Sequence, residues 1–502
     1  MSTTLLRNGA IAGGPTSQQT GEGRAPTRAA PGRVLAVDLD NTLIRGDMLF
    51  ETFWLAASRD WKLPFRALFA LLRGRASLKR LLAEEARWEP ASLRFEEEVL
   101  RRVAEWNRAG GRTALVSASD ETVVRRIADH VGLFDDVAGS DGRRNLKGSG
   151  KASLLRDRYR GEDVVYVGDS RADLAVWETC AGAITVNASP GLQRRVDALH
   201  GDAEHVGRAR PERRALLRAM RPHQWVKNVL IFLPLLLAHS LDPGSIGRAA
   251  LAFVVFSLFA SSAYLLNDLL DLSADRAHPR KRERPLASGA LSLAGGTVLV
   301  PVLLVSALLG AALLGPLFLA VVVLYYATTL AYSLQLKRRP VIDICTLAGL
   351  YTLRIVAGAV AVGVPLSVWL LAFSIFFFLS LAAVKRQAEL VDMSAREQAS
   401  AHGRGYRVGD LPLIASMAIA SGYVSVLVLA LYLNSDPAMQ HYGRVELLWG
   451  ICAVLLYWIN RMVMITHRGG MHDDPIVFAL KDPTSRWCLL LVVGFALAGA
   501  LW

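Results

Sequence analysis

The sequence predicts two fold classes joined end to end: an α/β Rossmann-like domain carrying a helical insertion, then an all-α polytopic membrane domain of about nine transmembrane helices. Three observations predict this. The 502 residues are 52% hydrophobic, yet nearly every long apolar run follows Trp225. That length exceeds one ordinary domain. In the first half, short apolar runs such as "RVLAVDLDNTL", "TALVSAS" and "VVYVGDSRADLAVW" end in acids or hydroxyls and alternate with helical stretches. This is the pattern of a parallel sheet with its chemistry at the strands' carboxyl ends.

Residues 1–32 are rich in small and polar side chains and lack an apolar core of signal-peptide length, so they read as a disordered tail. The α/β domain follows over 33–205, with its helical insertion over about 47–112. Residues 206–224 form an arginine-dense juxtamembrane linker, and 225–502 the membrane domain. The formal net charge of +13 comes without a nucleic-acid recognition motif. It points to an anionic bilayer surface, with no nucleic-acid partner expected. Cys180, Cys345, Cys452 and Cys488 stand apart without metal-type or paired spacing, as expected in a reducing compartment. Nothing in the sequence specifies an oligomeric state.

Apolar stretches long enough to cross about 30 Å of hydrocarbon lie near 225–241, 246–266, 292–313, 316–334, 341–362, 366–384, 411–433, 446–466 and 487–502. Basic loops follow the second, fourth, sixth and eighth of these, while the intervening loops are nearly free of Lys and Arg. By the positive-inside rule the basic loops and the N-terminal domain face the cytoplasm, which predicts a multi-pass protein of the inner (cytoplasmic) membrane.

The stretch "NDLLDLSADRAHPRKRERP" (267–285) sets acids at the mouth of the second span and bases directly after them. On a helix Asn267, Asp268, Asp271 and Asp275 share one face. Carboxylates at a membrane interface are costly unless neutralised, and Mg²⁺ suits an all-oxygen donor set that bridges to phosphates. Arg280, Lys281 and Arg284 would grip the same phosphates. Together they describe a diphosphate site. The plainer alternative is a solvated loop whose bases only obey the positive-inside rule. Lys227 beside Asn228, Lys337 and Arg338, and Lys385, Arg386 and Glu389 are placed to rim the same cytoplasmic cavity, although each alone also suits a snorkelling interfacial residue. Asp343 and Arg354, eleven residues apart on the fifth span, face the same way. Arg354 either binds a phosphate or pairs with an acid to hold the bundle.

The motif N-D-x-x-D-x-x-x-D resembles the first aspartate-rich motif of the UbiA-type prenyltransferase superfamily, over about residues 215–502. That superfamily's second motif usually has two aspartates, whereas "YSLQLKRRPVIDICTLAGLYTLRIVAGA" offers only Asp343. The runs "MRPHQWVKNVLIFLPLL", "NDLLDLSADRAHPRKRERPLASG" and "AAVKRQAEL" are similar to its polyprenyl-phosphate phosphoribosyltransferases. The resemblance implies Mg²⁺ on Asn267, Asp268, Asp271 and Asp275 holding the diphosphate of 5-phosphoribose 1-diphosphate, while a polyprenyl (decaprenyl) phosphate attacks C1 of the ribose.

In the first half, Asp38 and Asp40 lie on one face of a strand, suited to a nucleophile and an acid/base. Ser117, Lys151, Asp169 and Asp173 follow in order. Their content and order resemble the haloacid dehalogenase superfamily of phosphatases over about 33–200. The resemblance implies Asp38 as nucleophile and Asp40 as general acid/base. It also implies Ser117 and Lys151, with Lys147 as rival, on the phosphoryl group, and a second Mg²⁺ held by Asp38, Asp40, Asp169 and Asp173. The insertion stands where that family has a cap. Within it Trp61, Phe65, Leu68, Phe69 and Leu72 form an apolar stripe flanked by Arg66, Arg73 and Arg75, fit either for an anionic bilayer or for the domain's own core.

The expected function is bifunctional: Mg²⁺-dependent transfer of 5-phosphoribose to a polyprenyl phosphate, then removal of the 5-phosphate to give polyprenyl-phosphoryl ribose, a lipid-linked pentose donor precursor. The alternatives are a membrane prenyltransferase that moves an isoprenoid diphosphate onto an aromatic or other acceptor, and a nonenzymatic membrane scaffold.

Overall fold

The computed structural model describes residues 32–86, 88–140, 146–207, 212–395, 405–471 and 474–501. Residues 1–31 of the expected disordered tail and residues 208–211 of the basic linker fall outside these. The chain forms two compact units that follow contacts rather than chain order. One holds the described residues through Thr42 with Glu97–Gly139 and Leu146–Gly207; the other holds Leu43–Glu96, Ser140 and the described residues after 207.

The first unit is a six-stranded sheet in the order β3-β2-β1-β4-β5-β6. The strands are β1 (Arg33–Val37), β2 (Arg112–Asp120), β3 (Asp136–Ser140), β4 (Asp163–Gly168), β5 (Gly182–Val186) and β6 (Glu204–Val206). β1 pairs in parallel with both β2 and β4, so the strand order reverses beside β1. In open parallel sheets that reversal opens a crevice at the carboxyl ends of the two neighbouring strands. β1 and β4 are nearly continuous apolar runs because both faces are covered. Val34, Ala36 and Tyr166 pack into one core cluster with Trp177 and Val196.

The insertion expected over 47–112 divides at Glu97. The Glu97–Arg108 helix buries Val99 and Val103 within the sheet unit, whereas three cap helices, Met48–Ala57, Leu63–Leu72 and Arg75–Glu85, cluster with the membrane helices. The physical reason lies in the first cap helix. Its fully buried Glu51 accepts two hydrogen bonds from Arg276, at 2.6 and 3.0 Å. Its Trp54 indole donates to Thr297 Oγ1 at 2.8 Å.

Among the described residues of the second unit, eight helices are long and apolar enough to span a membrane: Pro243–Leu270, Leu293–Leu313, Pro316–Leu334, Ile342–Val362, Val368–Ala395, Leu411–Leu433, Val445–His467 and Pro483–Leu501. The first expected span, 225–241, is not one of them. It is a 3₁₀ segment, Pro222–Phe232, followed by the short helix Leu233–Leu237. Prolines at the start of both pieces remove backbone donors, and Lys227 and Asn228 turn inward and are buried. The segment lies so close to the Ile342–Val362 helix that a Cβ on Gly358 would sit 2.1 Å from the Ile231 carbonyl oxygen. The sixth expected span runs on as one helix to Ala395, so Lys385, Arg386 and Glu389 sit on a helix and not in a loop after it.

Candidate active sites

In the sheet unit, acidic side chains gather at the crevice between β1 and β4. Pairing of Val37 with Val167, continued by Asp38 N donating to Val167 O at 3.0 Å, sets Asp38 beside the end of β4 and hence beside Asp169. One carboxylate oxygen from each of Asp38, Asp169 and Asp173 lies within 4.8 Å of the others. Lys151, in the first turn of the Ser149–Arg158 helix, places Nζ 2.8 Å from Asp38 and 3.7 Å from Asp173. It also donates to the Tyr166 hydroxyl at 2.7 Å, which in turn donates to Asp173 at 2.9 Å. Gly168 makes room for this. A Cβ there would lie 2.8 Å from the Tyr166 ring and 3.0 Å from the Asp173 carboxyl carbon. Asp40 accepts from Ser119 Oγ at 2.8 Å and from Ser117 Oγ at 3.3 Å. Lys147 is exposed and outside the cluster.

Burial pushes the Asp38 carboxyl up to about 7 despite the neighbouring ammonium. Burial, with the charge of Asp38 next, pushes Asp169 up to about 8. Burial opposes the charge on Lys151, yet Asp38 keeps it above its ordinary value. Four acids around one buried ammonium are short of positive charge, and an oxygen-only donor set of this kind fits a divalent cation such as Mg²⁺.

In the membrane unit the acid-rich motif straddles a break. The Pro243–Leu270 helix ends at Asp271, and a short helix, Leu272–Ala277, follows. Asp268 and Asp275 are buried. Asp268 accepts both oxygens' worth of hydrogen bonds from Arg221, at 2.5 and 2.8 Å. Arg284 bridges Asp268 at 3.0 Å and Asp275 at 2.6 Å. Asn267 donates to Asp271 at 3.0 Å, and Lys337 stands 3.5 Å from the same carboxylate. The four motif residues thus form two pairs, each already countered by cations. Their donors are all oxygens and so fit Mg²⁺, provided that Arg221, Arg284 and Lys337 release these carboxylates. Arg280, Lys281 and Arg338 are exposed.

A second polar group lies among the helices. Asp474 Oδ2 accepts from Lys227 Nζ at 2.8 Å and Lys385 Nζ at 3.0 Å, and Tyr351 donates to its other oxygen at 3.4 Å. Burial disfavours this carboxylate's charge, but Lys385 and Lys227 hold it well below the usual carboxylate range. Arg354 donates to Asn228 Oδ1 at 2.9 Å, to the Tyr325 hydroxyl at 2.7 Å and to the Leu350 carbonyl at 2.6 Å, with its guanidinium over the rings of Tyr325 and Tyr351. Asp343 does not meet Arg354. It pairs with Arg386 at 3.0 Å and accepts from the Tyr406 hydroxyl at 2.5 Å.

Residues 228–481 match the family model described as the UbiA prenyltransferase family. The membrane half belongs to the UbiA prenyltransferase family. Residues 35–178 match the haloacid dehalogenase-like hydrolase family, and the two together account for both halves of this UbiA-type chain. Uncharacterized protein y4nM of Sinorhizobium fredii is 37% identical over 473 residues, covering 93% of this chain and 91% of the relative, so the fused arrangement is shared. Nodulation protein NoeC of Azorhizobium caulinodans is 36% identical over 54% of this chain and 89% of its own length. The decaprenyl-phosphate phosphoribosyltransferase of Mycobacterium tuberculosis is 43% identical over 182 residues, 35% of this chain and 60% of that relative.

Sequence reasoning on this UbiA-type chain missed Arg221, Asp474, Tyr325, Tyr351, Ser119 and Tyr166. Ser119 was recoverable, since it lies two residues beyond Ser117 on the same face of β2. Asp474 carried a weaker signal, an acid directly before Pro475 where it caps the Pro475–Lys481 helix. Arg221 and the tyrosines are brought in by packing alone.

Proposed function

We propose that the membrane half transfers 5-phosphoribose from 5-phosphoribose 1-diphosphate to a polyprenyl phosphate, and that the soluble half then removes the 5-phosphate. The observation that carries this reading is the pairing of acids with displaceable cations: Arg221 and Arg284 on Asp268 and Asp275, and Lys227 and Lys385 on Asp474. The 43% identity to a decaprenyl-phosphate phosphoribosyltransferase supports the choice of sugar donor and lipid acceptor. We take the protein to lie in the cytoplasmic membrane with the soluble half on the cytoplasmic side, as the basic loops suggest.

In the transfer, an oxygen of the lipid phosphate forms the new bond to ribose C1 as the bond from C1 to diphosphate breaks and diphosphate departs. Mg²⁺ held by Asn267, Asp268, Asp271 and Asp275 would supply charge neutralisation for that diphosphate. Arg221, Arg284 and Lys337 leave their carboxylates for its oxygens, so each cation exchanges one anion for another and none is left bare in the low-dielectric interior. Lys227 and Lys385 serve the second phosphate in the same way. Arg354 is held by Asn228 and Tyr325 and orients this wall.

In the hydrolysis, a carboxylate oxygen of Asp38 attacks the 5-phosphate, and Asp40, steadied by Ser117 and Ser119, protonates the departing ribose oxygen. Asp40 then accepts a proton from the water that cleaves the aspartyl-phosphate. Lys151 binds the phosphoryl oxygens, and Asp38, Asp169 and Asp173 are the residues that would hold a second Mg²⁺, which supplies charge screening for the approaching carboxylate.

The test is a mass-spectrometric assay of purified full-length protein with 5-phosphoribose 1-diphosphate, a polyprenyl phosphate and Mg²⁺. Wild type is expected to yield lipid-phosphoryl ribose, Asp38→Asn to stop at its 5-phosphate, and Asp268→Ala to make neither while still cleaving a soluble phosphate ester. If wild type forms no ribosylated lipid but consumes a prenyl diphosphate, the donor assignment is wrong. If Asp38→Asn still releases the 5-phosphate, the second step is wrong.

A further inference from the structure

The second cap helix is built inside out for a helix in water. Leu63–Leu72 turns its small face inward, burying Leu63, Ala67 and Ala70, and points its large apolar side chains away from the protein. Trp61, Phe65 and Leu72 are 68%, 69% and 78% exposed, and Leu68, Phe69 and Leu71 are exposed as well. Trp61, Phe65, Leu68, Phe69 and Leu72 follow helical spacing, so they make one continuous stripe. A cluster of this size on a ten-residue helix marks an interaction surface rather than the scatter of apolar residues normal on soluble proteins.

We infer that this stripe is embedded in the headgroup and upper acyl region of an anionic bilayer, so that the cap hairpin is a monotopic membrane anchor. Two further observations choose lipid over another protein surface. The first is continuity with the membrane wall. The first cap helix packs against the Pro243–Leu270, Leu272–Ala277 and Leu293–Leu313 helices and is locked there by the buried Glu51–Arg276 ion pair and the Trp54–Thr297 hydrogen bond. Val298, the residue after Thr297, is exposed on a membrane-spanning helix. The hairpin is therefore tied at the start of a lipid-facing helix, where its stripe meets the bilayer surface.

The second observation is charge. Residues 58–86 contain seven Lys or Arg against three acids, the sign that anionic lipid attracts. Lys62 Nζ lies 5.8 Å from the Trp61 ring and the Arg73 guanidinium 5.0 Å from the Phe69 ring. Cations leaning over rings that otherwise face outward are arranged as at a membrane interface, where the ring enters the acyl boundary and the charge stays among the phosphates. Such an anchor is independent of which reaction either half performs.

The test uses full-length protein in nanodiscs of mixed phosphatidylglycerol and phosphatidylcholine. Nitroxide labels are placed singly at Phe65→Cys, Phe69→Cys and Leu72→Cys, with Arg80→Cys on the next cap helix as the aqueous control, in a background lacking Cys180 and Cys345. Labels at 65, 69 and 72 are expected to collide with oxygen dissolved in the bilayer and to lose access to a water-soluble nickel chelate, with the reverse at 80. Nickel access at 65, 69 and 72 equal to that at 80 would overturn the inference. Loss of access to both reagents would also overturn it, because it would mean that protein covers the stripe. Wild-type protein in nanodiscs doped with a headgroup-proximal diazirine lipid gives an independent readout. Cross-links are expected within 61–72, and their absence there, with cross-links present on the spanning helices, counts against the anchor.

Discussion

Replacing Asp474 with Asn should convert a neutralised pair of lysines into a repelling one. Lys227 and Lys385 reach the same carboxylate oxygen at 2.8 and 3.0 Å, so their ammonium groups are close neighbours. At a separation of about 5 Å and an effective dielectric of about 20, two like charges repel by roughly 3 kcal/mol. Breaking a buried ion pair by removing one partner typically costs about 3–5 kcal/mol, in agreement with that figure. At about 2–4 °C per kcal/mol, substrate-free Asp474→Asn protein should unfold on the order of 10 °C below wild type. Under the proposed function a phosphate replaces the carboxylate, so saturating 5-phosphoribose 1-diphosphate should close most of this gap, beyond the shift that it gives wild type. Adding Lys227→Met to Asp474→Asn should recover stability by removing one of the two charges. The assay is thermal unfolding at one scan rate in nanodiscs, with and without ligand. An unchanged unfolding temperature refutes the electrostatic reasoning. A deficit of equal size with and without ligand refutes the claim that these lysines receive a substrate phosphate.

Two further predictions concern metal and packing. Asp38 and Asp169 ionise near 7 and 8 in the metal-free site and near 3.9 when unfolded. Metal-free stability of the sheet unit should therefore fall as pH rises from about 4 to about 8, because the folded form holds protons that the unfolded form has released. Mg²⁺ should bind more weakly at pH 6 than at pH 9 and release protons at pH 6. Calorimetric titration of Asp268→Ala protein in buffers of different ionisation enthalpy reads this, and heats independent of buffer would contradict it. Gln387 is fully buried, and neither side-chain polar atom has a hydrogen-bond partner among the described residues. Gln387→Leu should accordingly stabilise the protein by about 1–3 kcal/mol, and a loss of stability in the unfolding assay would show that reasoning to be wrong.

Much of the fold was legible because it rests on local periodicity. The strands around Val34–Val37 and Val164–Val167 announced themselves as apolar runs ending in acids, and Asp38, Asp169 and Asp173 do cluster beyond their carboxyl ends. Eight of the nine expected spans formed as long helices, since twenty apolar residues in sequence need no tertiary context to prefer a membrane. The remaining one, the first expected span at 225–241, does not form because hydropathy alone ignores what Pro222 and Pro234 do to the backbone and where Lys227 and Asn228 must turn. The helix carrying Lys385 and Arg386 was cut short for a related reason. Apolar character stops at 384 where Lys385 and Arg386 begin, while in the structure Asp343, Glu389 and Asp474 pair with those bases and the helix runs on to Ala395.

The candidate sites divide along the same line. The candidate residues themselves were legible in the sequence: Asp38, Asp40, Lys151 and Asp169 in one half, and the acids of 267–275 in the other, because short-range spacing dictates which side chains share a strand or helix face. The sequence could not determine the partners of those charges. Only the tertiary structure set Arg221 and Arg284 on Asp268, assigned Asp343 to Arg386 rather than to Arg354, gathered Lys227 and Lys385 around Asp474, and joined the cap to the membrane helices through Glu51 and Arg276. These pairs lie up to 247 residues apart in the chain. A buried charge must find a counter-charge wherever the packed backbone brings one within reach, and that choice is made in space, not along the sequence.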